Sequence, residues 1–477
     1  MDAGMDAGMD AGTDPGMDAG TDAGTDPGMD AGTDGGEEPV PDAGTDGGEE
    51  PVPDAGTDGG GEPVPDGGTD GGSNPCNVLW QGNRQWGTAQ ADEVNSVWAD
   101  SDNNIYTVGF ENGIVGQTNI EPTGNSQAVV AQYAPNGDVR WRRVIDTSGT
   151  DSAEHLIGSA MGHIYVVGRT TGALPGFDNG GQFDIFAVEL DADGTPIRAM
   201  QTGDERPQHP LKIGTSNAGS LVIAGYDDLF VQNRVAIDSE NGFVGSYVLS
   251  PAEQQWRWRS MSPDNPDRVT GFAMNAPAND EIYTSGFKFF ENAESAGGAF
   301  IRRYDLDGTQ RWFSQIGFVA TEVDEMLISP AGDLFATGST QLPIGGPGRG
   351  LADAYITSIN RLTGEMLWVS KTGTSEHDFV TAFAQGPNGD LYVAGDTFGA
   401  FEGFTNQGER DLFVIRFSST GQLLGVWQQG TTARDHAAGL WVDSCNNVYL
   451  GGFTEGSIIE GTTPQGRDAF LMKVPVP

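Results

Sequence analysis

Four aspartates of this 477-residue chain, Asp92, Asp151, Asp378 and Asp435, each stand 17 residues before a glycine that closes a short apolar run: Gly109, Gly168, Gly395 and Gly452. Carboxylates recurring at one spacing have two chemical uses. Gathered round an axis they form an acidic ring that attracts a cation; set one per unit in a repeat, each accepts backbone N–H bonds and caps its own loop. A residue repeated with the unit serves the unit, so the capping reading is the one adopted. A second set, Asp184, Asp353, Asp411 and Asp468, recurs in the same way and takes the same structural reading. His155, His377 and His436 lie near corresponding loops but at no shared offset, and the chain has neither a His-Glu-x-x-His helix nor a Cys-x-x-Cys pair. No zinc site is expected. A Gly-x-Ser-x-Gly elbow, a Gly-x-x-x-x-Gly-Lys phosphate loop and a dinucleotide fingerprint are also missing, so linear motifs assign no catalytic residue, metal ligand or cofactor.

The elements that position these residues are copies of one unit. A short strand ending in glycine recurs seven times: Ile105–Gly109, Ile164–Gly168, Leu221–Gly225, Ile282–Gly286, Leu334–Gly338, Leu391–Gly395 and Val448–Gly452, with the glycines 59, 57, 61, 52, 57 and 57 residues apart. Before each comes an apolar strand and a turn. After each come a polar, Gly-rich loop, an alternating strand such as Ile185–Leu190, and a second turn. Asn136-Gly137, Asp193-Gly194 and Asp307-Gly308 form such turns, and a short last strand follows, marked by Trp141, Trp258, Trp312, Trp368 or Trp427. Asn-Gly and Asp-Gly between apolar runs signal hairpins in which both turn residues take positive φ. No helical period is sustained. The expectation is an all-β fold, a seven-bladed β-propeller of four-stranded antiparallel blades. An open solenoid is the alternative.

The unit starts out of phase, which favours closure. Asn83–Thr88 matches the last strand of the other copies, while Asp468–Val474 is a third strand with no fourth after it. The N-terminal strand therefore completes blade seven, removing exposed sheet edges. Cys76 lies just before that strand and Cys445 in the first turn of blade seven, on the same end of the blade. A Cys76–Cys445 disulfide would lock the ring and imply an oxidising compartment; two unrelated thiols are the alternative.

Composition divides the chain at Pro75. Residues 1–75 hold 20 Asp and Glu, no basic residue, no aromatic and 21 glycines, in tetrapeptides such as Met1-Asp2-Ala3-Gly4 and 12-residue units from Thr33. Like charges, Gly and Pro leave nothing to offset the entropy of ordering, so a disordered spacer is expected. Residues 76–477 hold 48 acids and 24 bases. The whole chain, at −44, is a poor partner for nucleic acid or an anionic membrane, which are held by Lys and Arg. No apolar run approaches the roughly 18 residues of a spanning helix.

The run Gly373-Thr374-Ser375-Glu376-His377-Asp378, then Pro387-Asn388-Gly389-Asp390-Leu391-Tyr392-Val393-Ala394-Gly395 and Gly408-Glu409-Arg410-Asp411-Leu412-Phe413-Val414, resembles the bacterial β-propeller repeat family called SBBP. The similarity spans about residues 83–474; blades three and four have lost the Gly-Thr and leading Asp. It implies a propeller and an extracellular or outer-surface setting, and leaves activity open. The acidic repeats resemble the spacers of bacterial surface lipoproteins, which implies a signal peptide upstream of the recorded Met1. Asn360–Trp368 resembles one motif of quinoprotein propellers, without the vicinal cysteines of many quinoprotein dehydrogenases.

Apolar residues on the loops between second and third strands, Leu174-Pro175-Gly176-Phe177, Ala400–Phe404 and Ile458-Ile459, either project for recognition or tuck under their own loop. Two functions follow. The leading expectation is a non-catalytic, monomeric surface or secreted propeller that recognises a protein or glycan through its loop face. The alternative is an extracellular glycan hydrolase or lyase using channel-facing carboxylates from several blades. Convergent ionisable groups of perturbed pKa in one deep pocket would favour the enzyme, and a channel of repeated, satisfied residues the scaffold.

Overall fold

The computed structural model describes residues 75–477 except 114–124, 160, 229–239, 250–252, 260–266, 276–280, 289–297 and 317–320. The expected spacer, residues 1–75, lies outside the described residues apart from Pro75. Strand dominates the described part, and its one helical segment is the 3-10 turn Pro75–Asn77.

The chain is a seven-bladed β-propeller. Its innermost strands are Ala91–Ala99, Asp151–Gly158, Gln208–Thr215, Asp267–Asn275, Glu325–Ile328, Asp378–Gln385 and Asp435–Val442, one per blade. Blade two shows the plan: Asp151–Gly158, Ile164–Thr170, Asp184–Leu190 and Pro196–Thr202, each antiparallel to the next. Its second and third strands are buried throughout because both faces are covered by neighbouring blades. Blades three and four are also joined by one parallel bridge, Asn241 to Asp267.

Blade seven is closed by the N-terminal strand Arg84–Trp86, which pairs with the last strand in the register Arg84–Leu471, Gln85–Phe470, Trp86–Ala469. Gln85 shows that the match extends to side chains. Its amide donates to Asp468 (2.9 Å), as Gln201 donates to Asp184 and Gln428 to Asp411 in complete blades. A Cys76–Cys445 disulfide joins the same two ends of the domain.

The tight turns differ from the sequence expectation. Gly137, Gly194, Gly308, Gly364 and Gly389 have positive φ, but the residues before them do not. Ala134 N–H bonds Asp138 and Gly137 N–H bonds Ala134, and the strand register slips between Gln132 and Tyr133. This is a type I turn followed by a left-handed glycine bulge, in which only one residue needs positive φ. The glycine also meets the next blade. A Cβ on Gly194 would stand 2.7 Å from the Trp141 ring of blade one, whose indole N–H donates to Ala192 in the same turn (3.0 Å). Trp312 repeats the contact with Gly364 and Arg361 between blades four and five.

Candidate functional site

The four repeated aspartates are fully buried. Each carboxylate accepts the backbone N–H of the threonine four residues earlier: Thr88 to Asp92 at 2.6 Å, Thr147 to Asp151 at 2.7 Å, Thr374 to Asp378 at 2.6 Å and Thr431 to Asp435 at 2.6 Å. The same threonine hydroxyls also donate to them. Burial pushes all four carboxyls up, to about 6 for Asp378 and Asp435, against the pull of these bonds. Side chains so enclosed present no acidic ring to the channel. The second set is tied similarly: Asp184 accepts Gly180 N–H (2.8 Å) and Asp411 accepts Gln407 N–H (3.1 Å).

The apolar loop residues are also spent on the fold. Leu174, Phe401 and Ile458 are buried in the inter-blade cores. Their backbone N–H groups donate to Gln201, Gln428 and Gln85, at 2.8, 2.9 and 3.0 Å.

What faces the channel is set by a bulge. In six innermost strands the register slips by one residue, at Asn95, Glu154, Leu211, Thr270, Thr381 and Ala438. A bulge turns its extra side chain away from the ladder, here towards the axis. In blade five Asp324 holds the equivalent place, just before Glu325–Ile328. The bulge residues are not a repeat: Asn, Glu, Leu, Thr, Asp, Thr and Ala follow one another round the ring.

Six of them line a cavity of about 510 Å³, together with Lys212, Arg268, Glu322, Glu325 and His436. Lys212 of blade three reaches Glu325 of blade five at 2.6 Å, passing blade four at Gly271, the corresponding residue there. Lys212 and Glu325 also line a second cavity of about 420 Å³, with Trp98, Ile157, Met274, Phe383 and Trp441 among its walls. The ion pair therefore stands where the mouth meets a throat lined by several large apolar side chains.

Electrostatics at the mouth is strongly perturbed. Burial raises Asp324 well above the usual carboxylate range, and neighbouring Glu322 and Glu325 push it further, against Arg268. Burial likewise raises Glu322, opposed by Arg268, and Glu325, opposed by Lys212. Glu154 is paired with Arg169 at 3.0 Å. The His436 ring donates from Nδ1 to Asp396 (2.7 Å), which also accepts Ala437 N–H (2.9 Å). Burial would lower His436, but Asp396 and Glu93 together outweigh it and the histidine is raised, towards the imidazolium. On the throat side, burial and then Lys212 hold His155 well below its ordinary value, as the neutral ring.

The histidine and carboxylate placements were not legible as a motif, because they come from different blades. One signal was present. Fourteen residues before the anchor glycine, six copies carry Asn95, Glu154, Leu211, Asp324, Thr381 and Ala438, a column that varies where its neighbours repeat. Of the histidines singled out by sequence, His436 lines the mouth, His155 lines the throat and His377 stacks on Phe379.

No family model matches the chain and no curated protein matches it. Solved structures similar to it include Sqt1 from Chaetomium thermophilum, at 11% identity and TM-score 0.42 over 82% of this chain and 100% of that one. A polysaccharide lyase is similar at 11% identity and TM-score 0.44, over 82% and 91%. A puromycin hydrolase mutant is similar at 10% identity and TM-score 0.41, over 80% of this chain and 54% of that one.

Proposed function

We propose that this propeller binds a glycan at the charged mouth of its central channel, and that the acidic N-terminal segment displays it outside the cell. One observation carries the reading. The residues that repeat from blade to blade are consumed by the fold, whereas those turned into the mouth vary round the ring and include ionisable groups from blades two, three, four, five and seven. The mouth is rich in hydrogen-bonding groups of both kinds but close to balanced in charge. Glu154 faces Arg169 and Glu325 faces Lys212, Asp324 is held towards its neutral form, and Glu322 feels Arg268. A hydroxyl-rich, uncharged ligand matches that better than an ion or a charged peptide. The disulfide suits an oxidising compartment and supports export.

Affinity electrophoresis through gels containing laminarin, xyloglucan or galactomannan tests this. Wild-type protein should be retarded by at least one of them and Asp324→Ala much less so. Equal mobility of both proteins in every gel would remove the proposal.

A second reading is favoured by a specific pair. Asp324, a carboxyl raised by burial, and His436, held in place by Asp396, face one cavity, so a candidate proton donor and a second ionisable group are available for glycan cleavage. Asp324→Asn separates the readings, because the amide keeps the size and neutrality of the protonated acid but cannot release a proton. Retained gel retardation with loss of product formation identifies the enzyme; no product from the wild type leaves a binding protein.

A further inference from the structure

Blade six alone carries aromatic residues at both of two positions near the channel mouth where most other blades are polar. Phe379 occupies the place, against the anchor glycine, that is filled elsewhere by Glu93, Ser152, His209, Arg268, Glu322 and His436. Phe398 stands three residues after its anchor glycine, where blade four carries Phe289 and the other five copies carry Asn112, Thr171, Asp228, Gln341 and Glu455. The repeat tolerates a polar residue at each place, so the fold does not require these rings.

They form one surface. The His377 ring stacks on Phe379 with centroids 5.3 Å apart and planes 7° from parallel. Phe398 stands edge-on to both, at 6.4 and 6.2 Å, and remains 36% exposed. The Arg410 guanidinium lies 4.7 Å from the Phe398 centroid and is anchored to Asp396 at 3.5 Å. On either side, blades five and seven offer Glu322 and His436 at the position of Phe379, and both line the mouth.

An aromatic face bordered by a guanidinium, a carboxylate and an imidazole matches one ligand chemistry closely. A pyranose ring turns C–H groups to one face, which suits the negative face of an aromatic ring, and places hydroxyls round its edge, within reach of polar neighbours. We propose that Phe379, Phe398 and His377 form a sugar-stacking subsite, on which one ring of a glycan entering the channel mouth lies. This rests on the glycan reading above and adds where the chain of sugars leaves the mouth: over blade six.

The test uses the full chain in the same laminarin, xyloglucan and galactomannan gels. Phe398→Ala should weaken retardation by about tenfold, roughly the 1.4 kcal/mol of one stacking contact, while Phe398→Trp should stay close to wild type. Phe398→Trp should melt close to wild type, and Phe398→Ala, which loses the ring's contacts with His377, Phe379 and Arg410, is compared well below its melting transition. Wild-type retardation matched by Phe398→Ala overturns the subsite but leaves the mouth reading standing if Asp324→Ala still loses retardation. Absence of wild-type retardation in all three gels overturns both.

Discussion

Along the innermost strand of blade two, Asp151 is fully buried under the Thr147 loop, while Glu154, three residues on, lines the channel mouth. The same two levels run round the ring. At the level of Asp151 the chemistry repeats, with Asp92, Asp378 and Asp435 making the same threonine contacts. At the level of Glu154 it changes with every blade. A closed repeat needs its loops tied once per unit, so selection for the fold writes one residue many times. A ligand is met once and from several sides, so selection for a site writes different residues at equivalent places. Repetition therefore separates the two kinds of carboxylate where a raised pKa does not, since burial raises Asp324 of the mouth as it raises Asp151.

The fold side of this comparison should break hardest. Replacing Cys445 with Ser opens a loop of 369 residues between the two ends of the domain, which the chain-entropy model puts on the order of 5 kcal/mol. Denaturant melts of Cys445→Ser and of reduced wild type should agree, and gel retardation should survive below the melting transition. Asp378→Ala comes next. It strands the Thr374 N–H and hydroxyl inside the structure, a loss of about 3 kcal/mol, again with ligand retention intact in the folded protein. Loss of retention without loss of stability in either variant would erase the division between the levels.

Much of the fold side was legible in the sequence. Glycine-ended strands at near-constant spacing gave the blades, and the unmatched Asn83–Thr88 gave the closing strand, because each is a local pattern written seven times. The glutamines Gln85, Gln201 and Gln428 escaped notice, since their meaning lies in a bond to an aspartate on the neighbouring strand. The mouth was less legible for a stronger reason. Which residue faces the axis is decided by a one-residue register slip, and a slip reverses the facing of a strand without changing its composition. The turns show the same limit: the dipeptide Asn136-Gly137 was visible, but the bulge that spared Asn136 a positive φ was not.

The pH dependence of folding sharpens the comparison from the fold side. Asp378 and Asp435 sit at about 6 in the folded chain against an ordinary 3.8, so between those values the folded chain holds protons that the unfolded chain has released. Stability should rise as pH falls from 7 to 5 and decline as it rises through 6, by about 2–3 kcal/mol for the two groups together. Melting temperature against pH measures this. The double variant Asp378→Asn/Asp435→Asn should flatten the slope, whatever it does to the midpoint.

The smallest effect has the opposite sign and is the sharpest. Asp324 is raised for the same first reason as Asp378, burial, but it has no threonine cap to hold and sits beside Glu322 and Glu325, which raise it further. Folding at neutral pH must therefore protonate Asp324 or hold its charge beside like charges, a cost that Arg268 and the Ser339 N–H offset only in part. Asp324→Asn removes that cost at nearly constant shape. It should stabilise the domain by about 1 kcal/mol at pH 8, and by less as pH falls and the carboxyl is protonated in the unfolded chain as well. A side chain kept at the expense of stability is kept for what it contacts outside the fold. If Asp324→Asn instead melts lower than wild type at pH 8, Asp324 belongs with the repeated aspartates as a structural group, and the mouth loses its central residue.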